Sequence, residues 1–341
     1  VEFFEARSEL PDRAFVSSAD APVYTPDMSV SRRDLGKAIA GAAMLRTPLM
    51  AAAGEIPRRR LGAIDFQASI LGIGAQYLGD PAIPQSTVDR VIGEALDNGV
   101  NYIDTAPPYH QSEEKLGRVL KGRRDKVFLV SKVETLTRGD AAYQIEDSLR
   151  KLQTDYIDCV HLHNISREDR FPDLNKALGP TGPMAALLDA KKKGLIRHIG
   201  CTSHLKPARA LPAIESGNIE LFMCVLNYVE RHIYGYESKV LPEARKRNIG
   251  VIAMKVLGGP TQPAGRARIT SPEEYSANVR YVLGIPGVSV ALIGVRSVDE
   301  LRQAMAVARD YRPLTEVEMT QVTERGESVA RQWGPLRGPV A

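Results

Sequence analysis

Cysteine is scarce in this chain: three residues, Cys159, Cys201 and Cys224, with no CxxC spacing among them. An odd count cannot close into a disulfide framework, and the spacing implies no zinc site. Each lies in or beside an apolar run, where a reduced thiol behaves as a small hydrophobe. Charge of one sign is also scarce. The net charge is only +4, with 45 Lys and Arg scattered among 41 acids. That excludes a nucleic-acid stripe or a polybasic membrane patch and leaves a small polar organic molecule as the expected partner. No stretch approaches the ~20 uninterrupted apolar residues of a membrane span. A GxGxxG fingerprint is missing as well, since Gly72, Gly74 and Gly79 have another spacing and open no immediate helix, which disfavours a dinucleotide-binding open sheet.

What is present is the composition of an ordinary globular protein, 43% hydrophobic and 25% charged over 341 residues, enough for a large buried core. A barrel enzyme uses about 250 to 340 residues on a single core, so the length permits one barrel domain.

The N-terminal segment stands apart. From Met28 it runs basic (Arg32, Arg33), then small and apolar (Ala38 to Leu45), then Ala51, Ala52 and Ala53, the order of an export signal with a small-residue cleavage site. It resembles a twin-arginine signal through Ser31, Arg32, Arg33, Leu35 and Lys37, with Gly36 where a larger apolar residue is usual and Arg46 inside the apolar run. The alternative is an amphipathic surface helix on a cytoplasmic protein. Residues 1–54 are therefore expected to be an extension, with Met28 as a candidate physiological start, and residues 55–341 the folded domain. The resemblance implies export machinery as a partner and a periplasmic or exported location.

After Ile56, strand-like pieces around Gly62 predict a hairpin. Short apolar runs then alternate with helical patterns. The runs are 70–73, 101–103, 127–130, 157–162, 196–201, 222–226, 251–254 and 289–293; the patterns lie at 88–96, 113–120, 142–152, 184–192, 207–215, 240–247, 273–283 and 298–309. Such alternation implies parallel strands joined by helical crossovers. Periodicity alone leaves a closed barrel and an open doubly wound sheet both standing.

In a barrel the chemistry gathers at the C-terminal ends of strands. Asp104 follows the second run, Tyr109 comes shortly after it, Lys132 follows the third, and His163 ends the fourth. Singly, each has a structural explanation: a turn cap, packing, a solvated strand end, a satisfied core histidine. Together they make a proton-delivery set. Hydride delivery to a carbonyl makes an alkoxide that needs a proton, and a free tyrosine with a pKa near ~10 gives one up reluctantly. An ammonium beside the phenol lowers the cost of the phenolate, and a carboxylate keeps that ammonium charged. A histidine across the pocket can donate to the carbonyl oxygen.

The stretch GVNYIDTAPPYHQSEEKLGRVL, from Gly99 to Leu120, resembles the signature of the aldo-keto reductase superfamily, with Ser112, Glu113, Leu116 and Gly117 in their usual places. DKVFLVSKV carries the family's lysine at Lys132, and TDYIDCVHLH its histidine at His163, with His161 the second candidate. The resemblance runs from about Arg59 to Leu314. It implies a (β/α)8 TIM barrel with an N-terminal β-hairpin and a C-terminal helical tail. It also implies NADP(H) bound extended across the barrel mouth and a small-molecule carbonyl substrate.

Carried over residue by residue, the resemblance puts Ser203 and His204 at the nicotinamide carboxamide, His204 standing for a usual asparagine. The usual glutamine appears as Val225, with Asn227 nearby, and the usual stacking tyrosine as Met254. Lys255 and Gly258 are expected along the pyrophosphate, and Arg296 and Ser297 at the adenosine phosphate. Glu300 adds a repulsive carboxylate there, so NAD stays open beside NADP. Two other functions remain: a Schiff-base aldolase, which needs an uncharged lysine and is disfavoured by Asp104, and a cofactor-binding sensor subunit, suggested by Val225 and Met254. The loops 164–183 and 258–269 and the tail around Trp333 are expected to line the substrate pocket.

Overall fold

The structure, a computed structural model, describes residues 54–259, 269 and 271–341. The twin-arginine-like segment lies outside the described residues, as does most of the expected 258–269 loop.

The chain enters through an antiparallel hairpin, β1 (Arg58–Leu61) and β2 (Ile64–Ser69). Its turn depends on Gly62, whose φ is +58°, and whose missing Cβ would stand 2.4 Å from the Asn248 carbonyl oxygen. Among the described residues eight parallel strands then close into a barrel: β3 (Leu71–Gly74), β4 (Tyr102–Asp104), β5 (Phe128–Val133), β6 (Ile157–Leu162), β7 (Ile196–Ser203), β8 (Leu221–Val225), β9 (Gly250–Met254) and β10 (Val288–Gly294), with β10 pairing back to β3. Closure is what the alternation alone left undecided. Every residue of β5 and β6 is buried, because parallel strands are covered on both faces, by the interior side chains and by the surrounding helices.

The helices bury one stripe each. In Gln85–Asp97 the stripe is Val88, Val91, Ile92 and Ala95, the spacing of a helix lying on a sheet. Caps set their starts: Thr137 Oγ1 accepts from the Asp140 amide at 3.1 Å, and Thr315 with Glu318 forms a capping box on the last helix, Glu316–Trp333, each worth about 1 kcal/mol. One expected helix comes out broken and another gains a short helix ahead of it. Residues 207–215 form a 3-10 turn followed by Leu211–Glu215, and the expected 240–247 helix is present as Leu241–Lys246, preceded by a separate Tyr236–Lys239. In both, a proline at the start of the second piece, Pro212 or Pro242, lacks the amide that would continue the ladder.

The hairpin sits against the beginnings of the late strands. Gly62 bridges Ile249, and the Ser289 hydroxyl donates to the Arg60 carbonyl at 2.8 Å. That end of the barrel is thereby covered, and the opposite end, where the strands finish, carries the polar residues. The thiols of Cys159, Cys201 and Cys224 are free and buried within the strands, and burial raises the pKa of each.

Candidate active site

At the C-terminal mouth one pocket is lined by Asp104, Tyr109, Lys132 and His163 together with His204, Met223, Met254 and Lys255. Asp104 ends β4 and Lys132 lies near the end of β5, adjacent parallel strands. The Lys132 ammonium donates to both carboxylate oxygens of Asp104, at 2.7 and 2.8 Å, and to the Thr105 carbonyl at 2.7 Å. Burial pulls its pKa down, Asp104 and Tyr109 more than offset that, and the net shift is upward. Lys132 is therefore a held cation.

Tyr109 follows β4 on a turn fixed by its amide donating to the Ala106 carbonyl at 3.0 Å. The Lys132 ammonium stands 4.8 Å from its ring centroid. Burial pushes the phenol up; Lys132 pulls it down but does not cancel the burial effect. His163 meets Tyr109 edge-on, ring centres 6.1 Å apart. Its Nδ1 lies against the carboxylate of Glu134, which Arg170 also holds. Burial, with Lys132 and Arg170 nearby, takes the His163 pKa down to about 4 despite that carboxylate.

The two histidine candidates separate cleanly. His161 pairs in register with Lys132 but faces a deeper layer, against Gly200, and does not line the pocket. His163, the next residue with the same facing, reaches the mouth.

The expected cofactor contacts divide in a similar way. His204, Met254 and Lys255 line the pocket. His204 Nδ1 is buried without a hydrogen-bond partner, and burial brings the Lys255 ammonium down to about 8, Arg337 and Lys132 adding to the effect. Ser203 is turned away: its buried hydroxyl shares a 2.6 Å hydrogen bond with the Tyr236 hydroxyl. Asn227 closes its own turn, its Oδ1 accepting from the Val229 and Glu230 amides at 3.1 and 2.7 Å, so it takes no place in the pocket. Gly259, rather than Gly258, lines the wall, and the Gly258 carbonyl accepts from Arg337.

Arg296 and Ser297 line a separate groove with Arg90, Arg302, Glu94 and Asp299, and Arg302 pairs with Glu94 at 2.6 Å. The Arg296 guanidinium stacks 3.7 Å above the Tyr77 ring. Ser297 caps the helix Val298–Arg309 by accepting from the Glu300 amide at 3.2 Å. The Glu300 carboxylate, expected to oppose a phosphate, turns back to accept from the Arg296 amide at 2.7 Å and is absent from the groove lining.

Of the expected pocket loops, Asn164, Ser166 and Arg167 line a second cavity beside His204 and Lys255. Its other wall is Leu336 to Pro339, just past Trp333, which itself packs on the core. The reading by strand ends missed Tyr77 and Glu134. Glu134 had a signal, because it is two residues past Lys132 and shares its facing along an extended strand.

The profile of the Aldo/keto reductase family matches residues 70–278. L-galactose dehydrogenase of Arabidopsis thaliana is 27% identical over 306 residues, covering 76% of this chain and 90% of that one. Among solved structures, an aldo-keto reductase of Bacillus halodurans in its holo form is 25% identical with a TM-score of 0.63, covering 79% of this chain and 96% of its own. An aldo-keto reductase of Klebsiella pneumoniae in complex with NADPH shares the fold, with a TM-score of 0.64, 23% identity, and coverage of 79% and 94%.

Proposed function

The chain belongs to the aldo/keto reductase family of oxidoreductases, and from that premise we propose that it reduces the carbonyl of a small molecule with NADP(H), Tyr109 supplying the proton. The observation that carries the reading is the convergence of Tyr109, the Lys132–Asp104 pair and His163 on one pocket at the strand ends.

The residues present suit a nicotinamide dinucleotide. The unpartnered His204 Nδ1 fits a carboxamide, the Lys255 ammonium and the wall at Gly259 fit a pyrophosphate, and the groove beyond, where Arg302 is paired with Glu94 and Asp299 also lines the wall, offers Arg296 and Arg90 to a further phosphate. When bound, the cofactor supplies the hydride. The chain's part is to hold the carbonyl oxygen near the Tyr109 hydroxyl and give it the proton as negative charge develops. The Lys132 charge stabilises the resulting phenolate, and Asp104 holds that charge in place in a site with little water to do so. The same pair removes Lys132 as a Schiff-base nucleophile, since a charged ammonium has no free electron pair.

The test is NADPH oxidation with a panel of aldehydes, in wild type and Tyr109→Phe. Wild type turns over; the variant keeps NADPH binding and loses about two to four orders of magnitude in kcat. A variant that retained most of its kcat would refute Tyr109 as the proton donor. NADPH binding with no turnover by wild type would favour a cofactor-sensing subunit. We further propose that the segment containing Arg32 and Arg33 directs the folded protein out of the cytoplasm, a route compatible with a cofactor acquired inside.

A further inference from the structure

Three basic side chains meet where the mouth pocket adjoins the cavity beside it, and the two carboxylates near them are both taken. Asp104 receives the Lys132 ammonium on both oxygens. Glu230, in the turn after β8, receives Arg337 of the tail, whose Nε and Nη2 donate to its two oxygens at 2.5 and 2.9 Å. Both side chains of that pair are enclosed, and Asn227 adds a further donor to Glu230 at 2.6 Å. Lys255 is the third base. It lines both cavities, and its Nζ has no hydrogen-bond or ion-pair partner among the described residues. Lys206, in the lining of the second cavity, has Glu168 at 3.0 Å by contrast.

The backbone fixes Lys255 in this place. Its φ is +57°, in the region a side chain rarely permits, and its carbonyl accepts from the Gly258 amide at 2.8 Å and from Asn227 Nδ2 at 3.2 Å. Its stem runs over Gly259, where a Cβ would stand 2.6 Å from Lys255 Cδ.

An enclosed ammonium with cations for neighbours and no carboxylate of its own gives up its proton more readily than a solvated one. The charged and titratable groups facing it are Arg337, Glu230, Lys132, Asp104 and His204, the last held neutral by burial. Burial and the two cations outweigh the two carboxylates and bring Lys255 down to about 8. At about pH 7.5 roughly a quarter of it is then neutral amine, against roughly one part in a thousand for an ordinary lysine.

A neutral amine is a nucleophile, and this one shares its pocket with Tyr109. We propose that Lys255 is a carbonyl-modification site, where a small aldehyde entering the cofactor-free protein condenses with Nζ to a reversible imine. The Nζ lone pair forms the bond to the carbonyl carbon, and the C=O electrons move onto oxygen. Both protons of the neutral amine leave with that oxygen as one water, and a C=N bond remains. No oxidant or reductant takes part. Lys132 stays unmodified, because Asp104 keeps it charged. The site goes beyond the reductase reading and involves no hydride transfer.

The test incubates the cofactor-free protein at pH 7.5 with butanal and sodium cyanoborohydride, which fixes an imine as an N-butyl amine, and locates the label by peptide mass spectrometry over time. Lys255 takes it about tenfold or more faster than the exposed Lys121 and Lys192, since its larger neutral fraction outweighs its lower basicity. Lys132 takes none. Arg337→Gln slows Lys255 towards the rate of Lys121, because a cation is lost and Glu230 is released to hold the ammonium. Arg337→Gln with Glu230→Gln removes one charge of each sign, leaves no carboxylate buried alone, and keeps the fast label. Lys255 no faster than Lys121 and Lys192, label on Lys132 first, or a slow double variant overturns the proposal. Because no cofactor is present, each of these results is independent of whether the protein turns over NADPH.

Discussion

The ammonium of Lys132 and the carboxylate of Asp104 meet at 2.7 Å with both side chains almost wholly enclosed, 1% and 3% exposed. Enclosed charges of this kind are stable only as a pair. Each residue alone would be a liability to the fold; together they store a fixed positive charge beside the Tyr109 ring. Burial presses the Asp104 carboxyl up, and Lys132 pulls against it.

Replacing Lys132 with Met is therefore expected to cost stability as well as activity, by about 3 to 5 kcal/mol, because it leaves the Asp104 carboxylate buried and alone. Adding Asp104→Asn should restore much of the stability and none of the turnover. Urea midpoints and kcat for the single and double variants measure the two separately; a single variant as stable as wild type would contradict the enclosed pair.

Cofactor affinity should depend on pH through Lys255. In the free protein its ammonium loses its proton around pH 8, so the charge offered to a pyrophosphate is present below that value and fades above it. The NADPH dissociation constant is expected to rise as pH climbs through about 8, and the dependence to flatten in Lys255→Met, which binds weakly throughout. Fluorescence titration across that range checks it, and a pH-independent constant in wild type would separate Lys255 from the phosphates.

Arg296→Ala should weaken NADPH about tenfold more than NADH, since only the former brings an extra phosphate to a guanidinium. The Arg296 side chain is already held over the Tyr77 ring, and Glu300 faces its backbone instead of the groove. Equal losses for both cofactors, measured as dissociation constants, would place the extra phosphate elsewhere.

A lysine pair in place of Arg32 and Arg33 should leave the uncut precursor in the cytoplasm, while the wild-type chain is exported and begins near Gly54. Cell fractionation with N-terminal sequencing gives the answer. Wild-type protein confined to the cytoplasm with residues 28–53 still attached would return the segment to a surface extension.

What the sequence by itself determined is whatever repeats locally. Apolar runs near Ile73, Ile103, Val130 and Val160 announce strands because parallel barrel strands are buried on both faces, and the helical stripes announce themselves by their period. The order of Asp104, Tyr109, Lys132 and His163 at successive strand ends was legible for the same reason, since one parallel topology brings all strand ends to one side. The tertiary structure shows the closure that periodicity left open and the family resemblance implied, with β10 meeting β3 far away in sequence. It also decided which polar groups near the mouth are free. Ser203 and Asn227 have suitable chemistry and nearly suitable positions, yet Tyr236 and the Val229 and Glu230 amides occupy them. Glu134 and His163 lie on neighbouring strand ends, and no local pattern states that one carboxylate will face one ring nitrogen. Such pairings follow from side chains of separate segments competing for the same buried space, where an unpaired polar atom is costly and each takes the partner within reach.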